Sequence, residues 1–391
     1  MAGPEQAATH WQMSAAGLDD LITALIAESY RVIGPHVTQG AIGLFELASA
    51  RDLPFGWGVE LAPGAYRLRR RDDSAAFGHS AGPGSWKQFL HPPRQKLWEA
   101  DRNRGSTGFA IEQDAGSPAR LAFLGVRPCD LRAIQIQDKV LGEPAHPGSA
   151  YALRRSAIFI IAVNCTEPGE TCFCSSMGTG PAAGPGYDLL LTELAGQPHS
   201  FIVEAGSPAG ERLLPSLPLR PADPVRLQDA REAVSAAARN MGRSMDVTGI
   251  RELLAASQDA ARWDEVAARC LTCGNCTMAC PTCFCTTVED STDLAGDHAE
   301  RWERWASCFD LDFSRLHGGP VRSTGRSRYR QWLTHKLGTW NDQFGESGCV
   351  GCGRCIVWCP VGIDLTEEVA AIRAEGGDTG PSAVAGAAGS L

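Results

Sequence analysis

The sequence has little that would direct it out of the cell or into a membrane. Its first residues, MAGPEQAATHWQ, contain neither a basic segment nor an apolar run of the kind that forms a secretory signal, so we expect the cytoplasm and free thiols rather than disulfides. The longest apolar run, residues 157–163, is far shorter than the roughly 20 residues that cross a bilayer and predicts a buried strand. A net charge of −9 argues against a nucleic-acid partner, because Lys and Arg bind the phosphate backbone.

Nucleotide-binding motifs are also missing. No GxGxxG sequence opens a helix after a strand, there is no Walker A loop, and the glycine-rich residues 178–186 contain too much proline for a helix N-terminus that binds pyrophosphate. The chain also lacks the paired CxxC motifs that hold nickel in a hydrogenase large subunit. We therefore expect neither a nicotinamide or flavin site nor a nickel site on this chain.

Cysteine, by contrast, is abundant and concentrated. Of the 15 cysteines none lies before Cys129, and eight form two copies of Cys-x2-Cys-x2-Cys-x3-Cys-Pro. This is the pattern with which bacterial ferredoxins hold [4Fe–4S] clusters. The first copy is Cys270, Cys273, Cys276 and Cys280 before Pro281, and the second is Cys349, Cys352, Cys355 and Cys359 before Pro360.

The last cysteine of each motif predicts a crossed arrangement, because in two-cluster ferredoxins it ligates the other cluster. We expect the first cluster on Cys270, Cys273, Cys276 and Cys359, and the second on Cys349, Cys352, Cys355 and Cys280. Zinc is the alternative, but it favours paired CxxC motifs or Cys with His. It explains neither the third closely spaced cysteine nor the Cys-Pro ending, both of which occur twice.

Four cysteines of the N-terminal half indicate a further site. Cys129 and Cys165 each follow a predicted strand, and the TCFC sequence that contains Cys172 and Cys174 occurs again at residues 282–285. The set Cys129, Cys165, Cys172 and Cys174 is therefore a candidate for a third iron–sulfur cluster. The alternative is a group of buried, unligated thiols, which are common in protein cores.

Other residues near the motifs are left without a firm role. Cys283, Cys285 and Cys308 fall short of a full ligand set, and for His298, His317 and His335 a structural role is favoured over ligation. The locally basic residues 322–336 are interpreted as solvated surface, with docking of an acidic partner or a phosphate as the alternative. The tryptophans of this half are expected to shield clusters from water or to serve as core aromatics: Trp302, Trp305, Trp332, Trp340 and Trp358.

The fold class predicted is α+β. Leu18, Leu21, Ile22, Leu25 and Ile26 recur at helical spacing, short apolar runs between turns predict strands across residues 40–190, and Asp223-Pro224 predicts the start of a helix that ends before Gly242. We predict a strand-rich α+β N-terminal domain over residues 1–205 and a helical linker over 206–262. A mostly helical dicluster ferredoxin-like domain over 263–375, with a long insertion between its motifs, and a disordered tail over 376–391 complete the chain.

Residues 269–371, including RCLTCGNCTMACPTCFCTT and GCVGCGRCIVWCPVGIDL, together with RPCDLRAI and NCTEPGETCFCSSMGTGP, carry a family resemblance. They resemble the iron–sulfur beta subunit of soluble NAD(P)-linked [NiFe] hydrogenases of the sulfhydrogenase type, and the iron–sulfur subunit of anaerobic sulfite reductases is similar. The resemblance implies a protein that passes electrons between a flavin subunit handling NAD(P)H and a catalytic subunit. That catalytic subunit would be a [NiFe] hydrogenase or a sirohaem sulfite reductase, and the eight ferredoxin cysteines would be the cluster ligands.

Three functions follow from these observations. The leading hypothesis is an electron-transfer subunit with two or three [4Fe–4S] clusters and no substrate of its own. A second makes the chain a sulfur-compound reductase with a site-differentiated cluster on the N-terminal cysteines. A third is a regulatory or assembly protein that senses oxidant through a labile cluster.

Overall fold

The computed structural model describes residues 10–80, 82–103, 108–113, 118–142 and 149–378. The strands are β1 (Trp11–Ser14), β2 (Arg31–Thr38), β3 (Ala41–Glu46), β4 (Trp57–Ala62), β5 (Ala65–Arg70), β6 (Arg94–Arg102), β7 (Phe109–Gln113), β8 (Leu121–Val126), β9 (Ile158–Val163), β10 (Leu189–Leu194), β11 (Ser200–Ala205), β12 (Arg220–Pro221), β13 (Thr286–Thr292), β14 (His298–Trp305), β15 (Arg315–Leu316) and β16 (Gly319–Pro320). The helices are α1 (Gly17–Ala27), α2 (Lys87–Leu90), α3 (Pro128–Leu141), α4 (Ala150–Ser156), α5 (Pro208–Leu213), α6 (Pro224–Arg239), α7 (Ile250–Ala256), α8 (Arg262–Arg269), α9 (Asn275–Met278), α10 (Gly325–Thr334), α11 (Trp340–Phe344), α12 (Arg354–Val357) and α13 (Leu365–Asp378). Short 3₁₀ turns cover Ala50–Asp52 and Leu214–Ser216, and a π-helical turn covers His335–Thr339.

The N-terminal half is built on an eight-stranded mixed sheet. Its order is β12-β1-β11-β10-β9-β8-β2-β3, and the four strands β10, β9, β8 and β2 run parallel to one another. The apolar run predicted as a buried strand is β9, which confirms that prediction, and β10 is buried along its whole length. Parallel strands buried on both faces need helices on each side, and α1 covers one face while α3 and α4 cover the other.

Two predicted helices begin where local chemistry favours them. In α1 the apolar residues Leu18, Leu21, Ile22 and Leu25 are buried against the sheet, whereas Ile26 is 46% exposed and lies off the buried face. In α6 the Asp223 carboxylate accepts a hydrogen bond from the backbone N–H of Val225 (2.8 Å), and Pro224 occupies the first turn. Both helix predictions are confirmed in position.

A four-stranded antiparallel sheet joins the two halves of the chain. Its order is β13-β14-β6-β7, so two strands of the insertion between the cysteine motifs pair with two strands of the N-terminal half. Strands in that insertion were not among the predicted elements. The predicted domain limits at residues 205 and 263 stay a prediction. This sheet contains strands from before the first limit and from after the second.

The C-terminal half packs helices α7, α8, α10 and α13 around a second core centred on Trp263, Leu333, Leu337 and Ile372. Together the two halves form the α+β architecture predicted. Helix α13 continues to Asp378, and residues 379–391 of the predicted disordered tail lie outside the described residues. Among the described residues, none of the helices combines the length and apolarity that crossing a bilayer requires.

Candidate metal centres

The first three cysteines of the first motif and the last cysteine of the second motif line one cavity. Cys270 lies at the end of α8, and Cys276 lies on α9, which begins after Gly274 in a left-handed conformation (φ 76°). Aromatic side chains close the cavity: Phe309, Tyr329 and Trp332. The four thiols, named thiol group 1, are Cys270, Cys273, Cys276 and Cys359, the combination that crossed ligation requires.

The remaining four ferredoxin cysteines meet beside the start of the second motif. They are named thiol group 2: Cys349, Cys352, Cys355 and Cys280. The hydroxyl of Thr282 lies 3.2 Å from the Cys280 sulfur and donates to the carbonyl of Gly348 (2.6 Å), which ties the end of the first motif to the start of the second. Burial raises the pKa of Cys349 to about 12, and the charges of Cys352 and Cys280 add to this rise while that of Lys336 opposes it.

The four N-terminal cysteines line a second cavity. They are named thiol group 3: Cys129, Cys165, Cys172 and Cys174. Cys129 follows β8 and Cys165 follows β9, and because these neighbouring strands are parallel their carboxyl ends meet at one edge of the sheet. Cys129 also lies in the first turn of α3, where burial and then the charge of Asp130 raise the pKa of its thiol. Burial, the largest influence, raises the pKa of Cys172 to about 12.

Close backbone packing joins thiol groups 2 and 3. The N–H of Phe173 donates to the carbonyl of Gly351 (2.9 Å), so the Cys172–Cys174 segment lies along the loop of the second motif. Gly351 and Gly353 have φ values of 64° and 71°, which favour glycine. A Cβ on Gly351 would lie 2.7 Å from backbone atoms of Cys174, and one on Gly353 would overlap the carbonyl oxygen of Thr171. Glycine at both positions therefore permits this approach.

The three thiol groups are arranged in a row with group 2 in the middle. Cys355 of group 2 also lines the cavity of group 1, and Cys352 of group 2 also lines the cavity of group 3. Cys273 of group 1 is exposed, whereas Cys172 and Cys174 of group 3 are buried. The row therefore begins at the surface and ends inside the N-terminal half.

The donor atoms fit iron–sulfur clusters. All 15 cysteines are free thiols, and the two cavities have mainly apolar walls. Among the described residues, no three cysteine sulfurs all lie within 4.8 Å of one another, whereas the ligand atoms of Glu99, His298 and Glu300 do. Sulfurs around one tetrahedral zinc ion, with bonds of about 2.3 Å, would lie about 3.8 Å apart. The wider spacing favours a cluster of several irons over a single ion.

Cys283 and Cys285 lie beside thiol group 2, whereas Cys308 lies close to Cys285 and to Cys276 of thiol group 1. A hydrogen bond from Cys283 is the largest influence that lowers the pKa of Cys280. The carbonyl of Cys283 accepts from the buried Lys87 ammonium (3.0 Å), and burial, with Cys285 next, raises the pKa of Cys308 to about 12. Cys283 therefore belongs to the immediate surroundings of Cys280.

The interpretation of residues 322–336 as solvated surface is wrong for part of this segment. Helix α10 and the π-helical turn after it bury Arg328 and Lys336, which are 8% and 3% exposed. Arg328 donates to the carbonyl of Phe309 (2.8 Å). Lys336 donates to the Cys280 sulfur at 3.2 Å, a contact that charge patterning alone did not predict.

The predicted histidines and tryptophans are divided between several places. His298 is a strand residue that pairs with Asp101, His335 lies 3.1 Å from Gln343, and His317 is exposed, so none of them lines either cysteine cavity. Trp332 lines the cavity of group 1, and Trp358 stacks on Tyr66 with ring centroids 5.3 Å apart. Trp340 is buried against Phe284, and Trp302 and Trp305 lie on β14 beneath cationic side chains. Only part of the set therefore shields the cysteines.

A buried ion pair connects the two halves beside thiol group 3 and was missed by sequence reasoning. Arg354, at the start of α12, donates two hydrogen bonds to Asp130 in α3, at 2.7 and 3.0 Å. Both residues line the cavity of group 3, and both are buried. Each residue directly follows or lies close to a cysteine, Asp130 after Cys129 and Arg354 after Cys352, but their pairing depends on the tertiary fold.

Comparison with known proteins agrees with this geometry. The family model of a 4Fe-4S dicluster domain matches residues 269–363. The chain is 32% identical over 295 residues to Sulfhydrogenase 2 subunit beta of Pyrococcus furiosus, a match that covers 73% of this chain and 82% of the relative.

Proposed function

Since this chain belongs to the family of iron–sulfur beta subunits of hydrogenases, we propose that it relays electrons along its row of three thiol groups. The assignment to the family makes it an iron–sulfur electron-transfer subunit of a hydrogenase. The finer proposal is that groups 1 and 2 each hold a [4Fe–4S] cluster, with crossed fourth ligands, and that group 3 holds a third iron–sulfur cluster. When bound, such clusters accept and return single electrons.

One observation supports this proposal: each of the two cavities brings together the four thiols of its group from separate parts of the chain, with one further thiol of group 2 beside them. Group 1 combines three cysteines of one motif with Cys359 of the other, and group 3 combines the ends of two parallel strands with one loop. Buried thiols that are ordinary core residues need not converge on a cavity. Four convergent sulfurs, by contrast, are what a cubane needs.

The protein's own residues would position and protect these sites. The glycines of the second motif let groups 2 and 3 approach, and the aromatic wall of Phe309, Tyr329 and Trp332 keeps water from group 1. Exposed Cys273 makes group 1 the end of the row that a partner reaches most directly. We propose as partners a flavin subunit that handles NAD(P)H and a [NiFe] hydrogenase catalytic subunit.

The number of clusters is tested by iron analysis and EPR on anaerobically purified full-length protein. Three cubanes correspond to about 12 irons per chain and two cubanes to about eight. Cys172→Ser should remove roughly four irons and one EPR signal, whereas Cys308→Ser, which alters a thiol outside the three groups, should remove none. Equal iron in Cys172→Ser and the unaltered protein would refute the third cluster. Colourless protein that carries zinc would refute the whole proposal.

The relay role is tested by reconstitution with the flavin and catalytic subunits. The complete complex should couple oxidation of NADPH to hydrogen formation, and the isolated chain should do neither. Sustained turnover of sulfur compounds by the isolated chain, lost in Cys172→Ser, would instead support a reductase with its own catalytic cluster.

A further inference from the structure

Lys336 is a buried cation placed directly on a sulfur of thiol group 2. Its side chain is 3% exposed, and it lies in the π-helical turn His335–Thr339. The ammonium donates to the Cys280 sulfur (3.2 Å), the Thr282 hydroxyl (3.1 Å) and the Gly348 carbonyl (3.2 Å). An ammonium has three N–H donors, so this set uses all of them and fixes the charge in place.

The π-helical turn explains how a lysine reaches this position. Such turns occur mostly as single insertions in α-helices and often at functional sites. Here the turn follows α10 and lies next to the second motif, where the backbone carbonyl of Lys336 accepts the N–H of Gly348 (2.9 Å). The backbone carbonyl and the side-chain ammonium of Lys336 therefore both bind Gly348, the residue that precedes Cys349.

The negative charge that balances Lys336 comes from cysteine sulfur. Among the described residues no carboxylate oxygen lies within 4.0 Å of its ammonium, and burying an unpaired ion costs several kcal/mol. Of its three acceptors, only the Cys280 sulfur can carry a negative charge. The site is therefore built for an anion that includes the Cys280 sulfur.

Thiol group 1 has no comparable contact among the described residues. Its sulfurs accept backbone N–H groups, from Thr272 to Cys270 (3.4 Å) and from Ile363 to Cys359 (3.3 Å). Hydrogen bonds from neutral donors stabilise negative charge less than those from an ammonium. At thiol group 2 a charged donor therefore contacts a ligand sulfur directly, whereas at thiol group 1 the donors to sulfur among the described residues are neutral.

We propose that Lys336 is a positioning residue that raises the reduction potential of the cluster at thiol group 2 above that of the cluster at thiol group 1. This inference rests on the proposed ligation by Cys280. Reduction adds one negative charge, and a cation held at the ligand sulfur stabilises the more negative state in a buried site. Of the two ferredoxin-type clusters, the one next to Cys280 then takes the first electron.

The experiment is an EPR-monitored redox titration of anaerobically purified protein and its variants. In Lys336→Met one ferredoxin-type signal should become at least tenfold harder to reduce, which is about 59 mV for a one-electron couple, and the other signals should keep their potentials. Lys336→Arg keeps the charge and the N–H donors, so the reduction potential of this signal should stay close to that of the unaltered protein. Lys96→Met is the matched control, because it removes a lysine paired with Glu99 and Glu300 on the four-stranded sheet and should shift no potential.

The outcomes separate this inference from the proposed function. Unaltered protein without clusters would refute the proposed function itself, whereas normal clusters with unchanged potentials in Lys336→Met would refute only the role of Lys336. If Lys336→Met loses iron, Lys336→Gln is titrated, since its amide keeps an N–H donor without the charge. An unchanged potential there overturns the inference. Iron loss from both neutral variants but not from Lys336→Arg supports it, and equal loss from all three overturns it.

Discussion

Removing one partner of the ion pair between Asp130 and Arg354 should lower the free energy of unfolding strongly. Replacing both partners by apolar residues should change it little. Asp130→Asn keeps the shape of the side chain but leaves Arg354 charged, 6% exposed and with its Nε already unpartnered among the described residues. Removing one partner of a buried pair costs about 3–5 kcal/mol, whereas replacing both partners by apolar residues is often neutral. We therefore expect a large loss in Asp130→Asn and a small one in the double variant Asp130→Leu/Arg354→Met.

The expected loss can be converted to a melting temperature. The unfolding entropy is about 2.1 cal/mol/K per residue. For a chain of 391 residues that unfolds as one unit, each kcal/mol lost from the free energy of unfolding therefore lowers the melting temperature by roughly 1.2 °C. Asp130→Asn should then melt about 4–6 °C lower in anaerobic differential scanning calorimetry. Its iron content should be measured alongside, because Asp130 follows Cys129 and a shift of α3 would disturb thiol group 3.

Asp138→Asn provides the matched control on the same helix. Asp138 pairs with Arg155 (3.1 Å), and both side chains are about a third exposed (33% and 27%), so the pair is worth about 1 kcal/mol or less. A loss in Asp130→Asn no larger than in this control would refute the reasoning. So would a double variant whose loss equals the sum of the two single losses, because the penalty is assigned to the charge left unpaired.

Three further results are expected. Gly353→Ala should lose iron from thiol group 2 because its Cβ overlaps Thr171. The control Gly345→Ala (φ 74°) has open space around it, so it should keep its iron and lose only about 1 kcal/mol of the free energy of unfolding. Normal iron content in Gly353→Ala would contradict this prediction. Burial, followed by nearby Lys87 and Arg154, lowers the pKa of His91 to about 4. The unfolded chain therefore binds a proton that the folded chain excludes between about pH 6.5 and 4, and the free energy of unfolding should fall by up to roughly 3 kcal/mol as the pH drops through this window. His91→Gln should reduce that slope in urea titrations at several pH values, and an unchanged slope would exclude this histidine as the cause. Because burial keeps Cys172 and Cys349 protonated, cluster loading of metal-free protein should release protons and become tighter from about pH 7 to 8, as measured in weakly buffered solution; no proton release would contradict the thiol assignment.

Which ferredoxin cysteines lie together could be predicted from sequence because the spacing within each motif acts locally. The spacing within each motif fixes three thiols on one loop, and the Cys-Pro ending indicates the crossed fourth ligand. Thiol group 3 was accessible for a different reason, since Cys129 and Cys165 follow strands that proved to be parallel neighbours. The convergence of Cys172 and Cys174 on those strand ends required the fold.

What sequence reasoning missed are contacts between distant segments. Lys336 lies in a basic segment whose composition resembles a solvated surface, and only the packing of α10 and the π-helical turn buries it. The Asp130–Arg354 pair joins residues 224 positions apart. Strands β13 and β14 are rich in charged and polar residues and lack a clear alternation, because they form a sheet that is partly exposed. Such features depend on partners that periodicity does not reveal.

The sheet β13-β14-β6-β7 also constrains the order in which the chain can complete its fold. During synthesis strand β6 emerges long before β14, its neighbour in the finished sheet. One edge of β6 therefore stays unpaired until nearly 200 further residues have been translated. An uncovered strand edge is a template for pairing with other chains. A chain that stops before the insertion would therefore keep this edge of β6 unpaired and tend to aggregate.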